Sequence, residues 1–323
     1  MMKSNKINGS TILVTGGAGF IGSYVVEELL QQNPKKIFIV DNLIRGTLEN
    51  IKGLRKNPNV EFIQDDILNT NLIMRLVSKS DYCFHLAALR LNACASEPEK
   101  AFEVMVKATF ALIEAAKRFK IKKFIYSSSA SVYGMASHFP TPEIDNPYDN
   151  KTIYGAAKMF GEQILRSYNH MYGLDYVALR YFNVYGPRMD VFGKYTEVMI
   201  KWLDCIRENK DPVINGDGST TMDFVYVTDV AKANVLALMT DSSDEVFNIA
   251  DGVETSLKRL LRLILKVNHS KLRPIYNPET TINPVKRRLA DISKANKILG
   301  FNPKVSLEEG LKKLSDWYFK TIK

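Results

Sequence analysis

Tyr154 and Lys158 stand four residues apart in a stretch with helical period, so their side chains leave the same face one turn apart. A free phenol titrates near 10 and is a poor base at neutral pH. A neighbouring ammonium, or any other positive charge in the site, favours the phenolate and lowers that value. Such a pair could take the proton of a carbinol while hydride leaves the same carbon. Spacing alone carries little weight: with 15 tyrosines, and lysine at roughly one residue in ten, about one such pair arises by chance. Its weight comes from Ser127-Ser128-Ser129, which follows the strand-like Phe124–Tyr126. A Ser129 hydroxyl at a strand end could bridge phenol and substrate, although serines there are more often turn formers.

Hydride transfer needs an acceptor, and the N-terminal residues offer a place for one. Gly16, Gly19 and Gly22 fit G-x-x-G-x-x-G directly after the strand-like Thr11–Thr15 and at the start of a helical period. Glycine there permits a tight turn and close approach of backbone to a pyrophosphate, whose charge the helix N-terminus attracts. Asp41 follows about 20 residues later at the end of a second strand, where a carboxylate accepts from ribose hydroxyls. That carboxylate would repel a 2′-phosphate, which predicts NAD rather than NADP; nearby Arg45 argues the other way.

The elements that must position these groups alternate. Thr11–Thr15, Ile37–Val40, Val60–Ile63, Tyr82–His85, Phe124–Tyr126 and Tyr176–Leu179 read as buried parallel strands. Ile21–Gln32, Asn69–Ser78, Pro98–Phe119 and Ile153–Tyr172 read as helices between them. This rhythm predicts an α/β fold with a doubly wound, Rossmann-type parallel sheet over residues 1–180. After Arg180, glycine and proline punctuate the chain, which predicts a smaller C-terminal substrate-binding lobe over 181–323, with Phe224–Val227 and Val246–Ile249 as segments returning to the first domain.

Composition narrows the class. A net charge of +9 raises the question of nucleic acid, but the basic residues are spread rather than gathered with aromatics on one face. They suit a small anionic substrate instead. No run approaches the ~20 apolar residues of a membrane span. The polar start, Met1–Ser10, shows no cleaved leader, and Cys83, Cys94 and Cys205 have no metal-ligand spacing. A cytoplasmic protein is expected, binding neither nucleic acid nor membrane.

Taken together, these residues resemble the extended short-chain dehydrogenase/reductases, in particular the NAD-dependent sugar-nucleotide epimerases and dehydratases. The likeness runs through Thr15–Ser23, Asp41-Asn42-Leu43, Asp65-Asp66-Ile67, His85–Ala88, Ser127–Gly134, Tyr154–Lys158, Arg180–Arg188, Asp223–Ala231 and Ala290–Ala295. It implies NAD held by Gly16, Gly19, Phe20, Ile21, Gly22, Asp41, Asn42, Leu86, Ala87, Ala88, Ser127, Tyr154, Lys158 and Tyr181. Asp66 and Ile67 would cradle the adenine, and Arg90 stands near the nicotinamide ribose. Tyr154 would be the base, Lys158 would tune it, and Ser129 would hold the reacting hydroxyl. Asn183 would contact a nucleoside-diphosphate sugar, and the Pro98–Phe119 and Ile153–Tyr172 helices would form a homodimer interface.

The resemblance also sorts reactions. The 4,6-dehydratases carry an Asp-Glu pair where this chain has Ala130 and Ser131, and the decarboxylases carry a glutamate at the position of Ser131. What remains is the pattern of 4-epimerases, which pass through a transient 4-keto sugar. The alternatives are a dehydratase or a C4 dehydrogenase/reductase of the same family and, from another class, a non-catalytic dinucleotide sensor. Two arginines that usually anchor the diphosphate are missing, at Met222 and in Thr281–Pro284; Lys286, Arg287 or Arg288 could substitute. Arg288 stands where these epimerases tune acceptance of 2-acetamido sugars, and Met105 replaces an asparagine that supports the cofactor.

Overall fold

Runs of β-branched and aromatic residues too short for helices become strands, and in the first half each is followed by an amphipathic segment that crosses back over the sheet. A computed structural model describes residues 5–145, 149–192, 197–278 and 285–322. Its strands are β1 (Thr11–Thr15), β2 (Lys36–Asp41), β3 (Val60–Gln64), β4 (Tyr82–His85), β5 (Lys123–Ser129), β6 (Tyr176–Tyr181), β7 (Asn183–Tyr185), β8 (Val213–Asn215), β9 (Thr221–Tyr226), β10 (Glu245–Ile249), β11 (Glu254–Ser256) and β12 (Ile275–Asn277). Seven of them form an all-parallel sheet in the order β10-β6-β5-β4-β1-β2-β3. The order reverses between β1 and β4, the doubly wound switch point beyond which ligands bind.

Both faces of this sheet are covered, which is why its strands are apolar throughout. On one face Ile12 and Val14 pack against α1 (Phe20–Leu30) and a later helix containing Val230 and Leu238. On the other, Leu13 and Phe124 pack against α2 (Thr70–Val77) and further helices through Leu112, Ile113 and Leu165. Each such side chain contributes roughly 1.5–3 kcal/mol, so the strand ends form a stiff frame.

Three sequence expectations change in the structure. Phe224–Val227 does not return to the main sheet: β9 pairs with β7 and β11 in a separate three-stranded sheet. Val246–Ile249 joins the main sheet as β10 beside β6, while Val225 of β9 packs into the core on one face of that sheet without pairing with its strands. Hydrophobic pattern marks both as buried strands but cannot say which sheet receives them. Leu91–Ser96 forms an unpredicted helix, α3, whose six residues are too few to show a period. Pro98–Phe119 is not one regular helix: α4 (Pro98–Ala101) passes through a π-helical turn, Phe102–Lys107, into α5 (Ala108–Arg118).

The helix that carries Tyr154 and Lys158 is α6 (Ile153–Tyr172). Thr152 caps it, accepting from the Gly155 amide at 3.0 Å, and Gly173 ends it in the left-handed conformation. Gly161 lets α6 lie close on β5, since a Cβ there would collide with the Tyr126 ring. A core of its own, with Trp202, Phe224, Leu260 and Tyr318, gathers later residues beside the sheet.

Candidate active site

A cavity of about 520 Å³ opens at the C-terminal ends of β1, β2, β4 and β5. The residues expected to hold NAD, carry the reaction or contact the sugar nucleotide all line it: Gly16, Gly19, Phe20, Ile21, Gly22, Asp41, Asn42, Asp66, Ile67, Leu86, Ala87, Ala88, Arg90, Ser127, Ser129, Tyr154, Lys158, Tyr181, Asn183 and Arg288. Strands far apart in sequence bring them together, because all are parallel and end on the same edge.

One end of the cavity is made of backbone. Gly16 has φ of +73°, and a Cβ there would sit 2.6 Å from the Ala87 amide nitrogen. A Cβ on Gly22 would collide with the Gly16 carbonyl. Gly19 starts α1 with no side-chain cap, leaving the first-turn amides of the helix for an anion. Asp41, at the end of β2, accepts from the amides of Ala18 at 3.0 Å and Leu43 at 2.9 Å. Burial raises its pKa, opposed by those amides. Asn42 donates to Asp66 at 2.6 Å, joining the ends of β2 and β3 into one wall. A cradle closed to any Cβ, an uncapped helix start and a buried carboxylate on the next strand fit a dinucleotide.

At the other end of the cavity, beside the C-terminal end of β5, the reacting groups meet. The Ser129 hydroxyl bears on the Tyr154 phenol and opposes the rise of its pKa on burial, and its Oγ accepts from the Ser131 amide at 3.1 Å. Lys158 is buried, donates to the Ser127 carbonyl at 2.6 Å, and lies 5.8 Å from the centre of the Tyr154 ring. Burial lowers the Lys158 ammonium to about 8. The expected depression of the phenol by Lys158 is not what the polypeptide alone produces. Burial raises the Tyr154 pKa, while Ser129 and Arg45 pull it down and Cys94 adds to the rise. Desolvation outweighs the nearby cations here, so the lowering falls to whatever else the site binds. Tyr181 turns its hydroxyl to Ser127 (3.0 Å) and Asn234 (2.9 Å), bracing the end of β5.

Several contributors escaped the sequence reading. Glu162, four residues beyond Lys158 on the same helical face, is buried with Arg180 at 2.6 Å and holds Ser128. That spacing was a usable signal. Asp190 stands 3.9 Å from Arg45 and 3.7 Å from Arg90, and Glu197 4.0 Å from Arg90, so ion pairs cross the cavity. Met105 offers its sulfur to the Leu89 amide at 3.1 Å, an acceptor at the position where the resemblance implies an asparagine.

Beyond Asn183, which donates to the Asp223 carbonyl at 3.0 Å, a second cavity of about 640 Å³ continues. Met199, Trp202, Met222, Phe224 and Lys286 line it. Of the three basic candidates, Arg287 is exposed and forked onto Glu254 at 2.7 and 2.9 Å, whereas Arg288 lines the main cavity. Thr281–Pro284 lies outside the described residues.

Comparison with known proteins agrees with this geometry. Residues 12–250 match the model of the family described as NAD dependent epimerase/dehydratase. A UDP-glucose 4-epimerase of Mycolicibacterium smegmatis is 34% identical over 309 residues, covering 95% of this chain and 97% of its own. The structure of a UDP-N-acetylglucosamine 4-epimerase from Methanobrevibacter ruminantium M1, in complex with UDP-N-acetylmuramic acid, matches with a TM-score of 0.92 at 36% identity, over 98% of this chain and 100% of that one. A UDP-glucose 4-epimerase from Thermotoga maritima, with UDP-glucose, gives a TM-score of 0.89 at 37% identity over 97% and 100%. The chain belongs to the NAD-dependent epimerase/dehydratase family.

Proposed function

We infer that this chain is an NAD-dependent 4-epimerase of a nucleoside-diphosphate sugar. One observation carries the reading: Ser129, Tyr154 and Lys158 line one cavity with the glycine cradle, and among the described residues the side chains that most affect the phenol are Ser129, Cys94 and Arg45 rather than a carboxylate. The glycine loop, Asp41, Asp66 and Lys158 hold NAD, which supplies the hydride acceptor and donor that lets C4 become a ketone. Tyr154 takes the C4 hydroxyl proton and returns it after the sugar presents its other face. Ser129 holds that hydroxyl, and Lys158 keeps positive charge beside the phenol. A dehydratase also needs an acid at the reacting centre, and Ala130 and Ser131 provide none.

The sugar nucleotide lies across Asn183 with its base in the second cavity. Phe102, Phe110, Met171 and Tyr172 are exposed apolar residues on the Pro98–Arg118 segment and α6, which supports a homodimer through these helices. Among the described residues no helix is long and apolar enough to cross a membrane. Buried, unpaired Cys83 and Cys94 suit a cytoplasmic protein.

The test is Tyr154→Phe. Turnover of UDP-sugars should fall by at least about 10³-fold, with NAD still released on denaturing the purified variant. Retained epimerisation would sink the assignment. In deuterated buffer the wild-type product should carry no solvent deuterium at C5; incorporation there, or a 4-keto-6-deoxy product, would make the enzyme a dehydratase.

A further inference from the structure

Four arginines line the main cavity, and three of them meet acids. Arg45 and Arg90 face Asp190, and Arg188 donates to Glu27 at 2.6 Å. Arg288 differs. Among the described residues no carboxylate pairs with it, and its guanidinium makes one hydrogen bond, from Nη1 to the Ala130 carbonyl at 2.6 Å. Its neighbour Arg287, by contrast, is forked onto Glu254.

Geometry limits what the free part of this fork can reach. Ala130 follows Ser129 directly, so the tether brings the guanidinium to the residue next to the one that the epimerase reading assigns to the reacting carbinol, and both Ser129 and Arg288 line the same cavity. A guanidinium is planar, carries five N–H donors and stays charged at neutral pH. Burial lowers the pKa of Arg288 only to about 10. Partly buried and spending one donor on a neutral carbonyl, it is a charge that an anion would compensate. On a pyranose the diphosphate hangs from C1, across the ring from C4. A cation beside the C4 end therefore meets the ring's own substituents before the diphosphate, and Lys201 and Lys286, lining the second cavity, are the basic residues nearer the nucleotide side.

We propose that Arg288 determines specificity by pairing with a carboxylate carried on the sugar ring, so that the preferred substrate is the nucleotide-activated form of an acidic sugar rather than of a neutral hexose. Planar fork-to-carboxylate pairing is the contact that guanidinium geometry favours. This rests on the epimerase reading for its chemistry but not for its binding.

The experiment compares UDP-glucuronate with UDP-glucose on the full-length holoenzyme and its Arg288→Gln and Arg288→Lys variants. The wild type should favour UDP-glucuronate in kcat/KM. Arg288→Gln should lower the ratio of the two kcat/KM values by about 100-fold, mainly through KM for the acidic sugar, and Arg288→Lys should restore part of it. A wild type that favours UDP-glucose, or a Gln variant that loses both sugars equally and also loses UDP, would overturn the proposal and make Arg288 a diphosphate anchor. Calorimetry on the Tyr154→Phe holoenzyme, with and without Arg288→Gln, separates the two readings. Selective loss of UDP-glucuronate binding upholds the carboxylate contact even if the wild type epimerises no sugar. Equal binding of both sugars with Arg288 present overturns it even if epimerisation is found.

Discussion

At the cofactor end of the cavity the walls are backbone: the Gly16–Gly22 turn, the uncapped start of α1, and Asp41 held by the amides of Ala18 and Leu43. Toward the second cavity the walls are polar and charged side chains: Asn183, Glu197 and Arg288. The first kind of wall tolerates no added atom and binds what every dinucleotide shares. The second can be re-aimed by exchanging one residue, so it is where members of one family differ in substrate. On the proposed function, the contrast teaches that conformation would secure the cofactor and charge would select the sugar.

The largest effect should come from filling the backbone wall. Gly22→Val places a branched side chain against the Gly16 carbonyl, so the purified variant should release no NAD on denaturation and lose all turnover. Its stability should fall by about 1–3 kcal/mol, as for other overpacked sites, read from a denaturant midpoint. Retained NAD would mean that the cradle is adaptable after all and would erase the contrast.

Lys158 sits where the two ends meet, and its removal should move activity and stability in opposite directions. Lys158→Met should lower kcat by about 10²–10⁴-fold. Burial has brought the ammonium to about 8, against the ordinary ~10.4 of a free lysine. Below pH 8 the native wild type therefore bears the cost of a buried charge that the variant lacks. Between 8 and roughly 10.4 the unfolded wild-type chain binds more protons than the native one, so wild-type stability rises with pH. The variant's advantage should be largest below pH 8, at most about 3 kcal/mol less the lost bond to Ser127. It should shrink to nothing above the ordinary lysine range. Thermal melts across that range check it, and an advantage that grows with pH would contradict it.

The smallest effect concerns a side chain that serves the backbone wall. Met105→Leu removes the acceptor for the Leu89 amide and should cost about 1 kcal/mol. Met105→Asn, which restores an oxygen acceptor, should cost less, and NAD content should be unchanged in both. A Leu variant as stable as the wild type would show that the sulfur contact carries no weight.

Much of this molecule was legible residue by residue. The six predicted strands of the first half are all present in the sheet, and the glycine loop, Asp41, Ser129, Tyr154 and Lys158 share one cavity. These are features of local spacing: a turn needing glycine, a strand end, two residues one helical turn apart. The π turn at Phe102–Lys107, the Asp190 and Glu197 ion pairs and the partition of β9 from β10 were not legible. Each depends on packing between segments far apart in the chain.

Arg287 and Arg288 show the division most plainly. The sequence by itself determined that basic residues cluster at 286–288 and that position 222 carries no charge, where the family resemblance implies a diphosphate anchor. It could not say which of them serves. Arg287 bridges to Thr221 at the edge of β9, and adjacent residues in extended chain point to opposite sides. One guanidinium is thereby sent out to Glu254 and the next is turned inward to Ala130 and the cavity. Residue type is written in the chain; the side to which it points is set by the strand it pairs with.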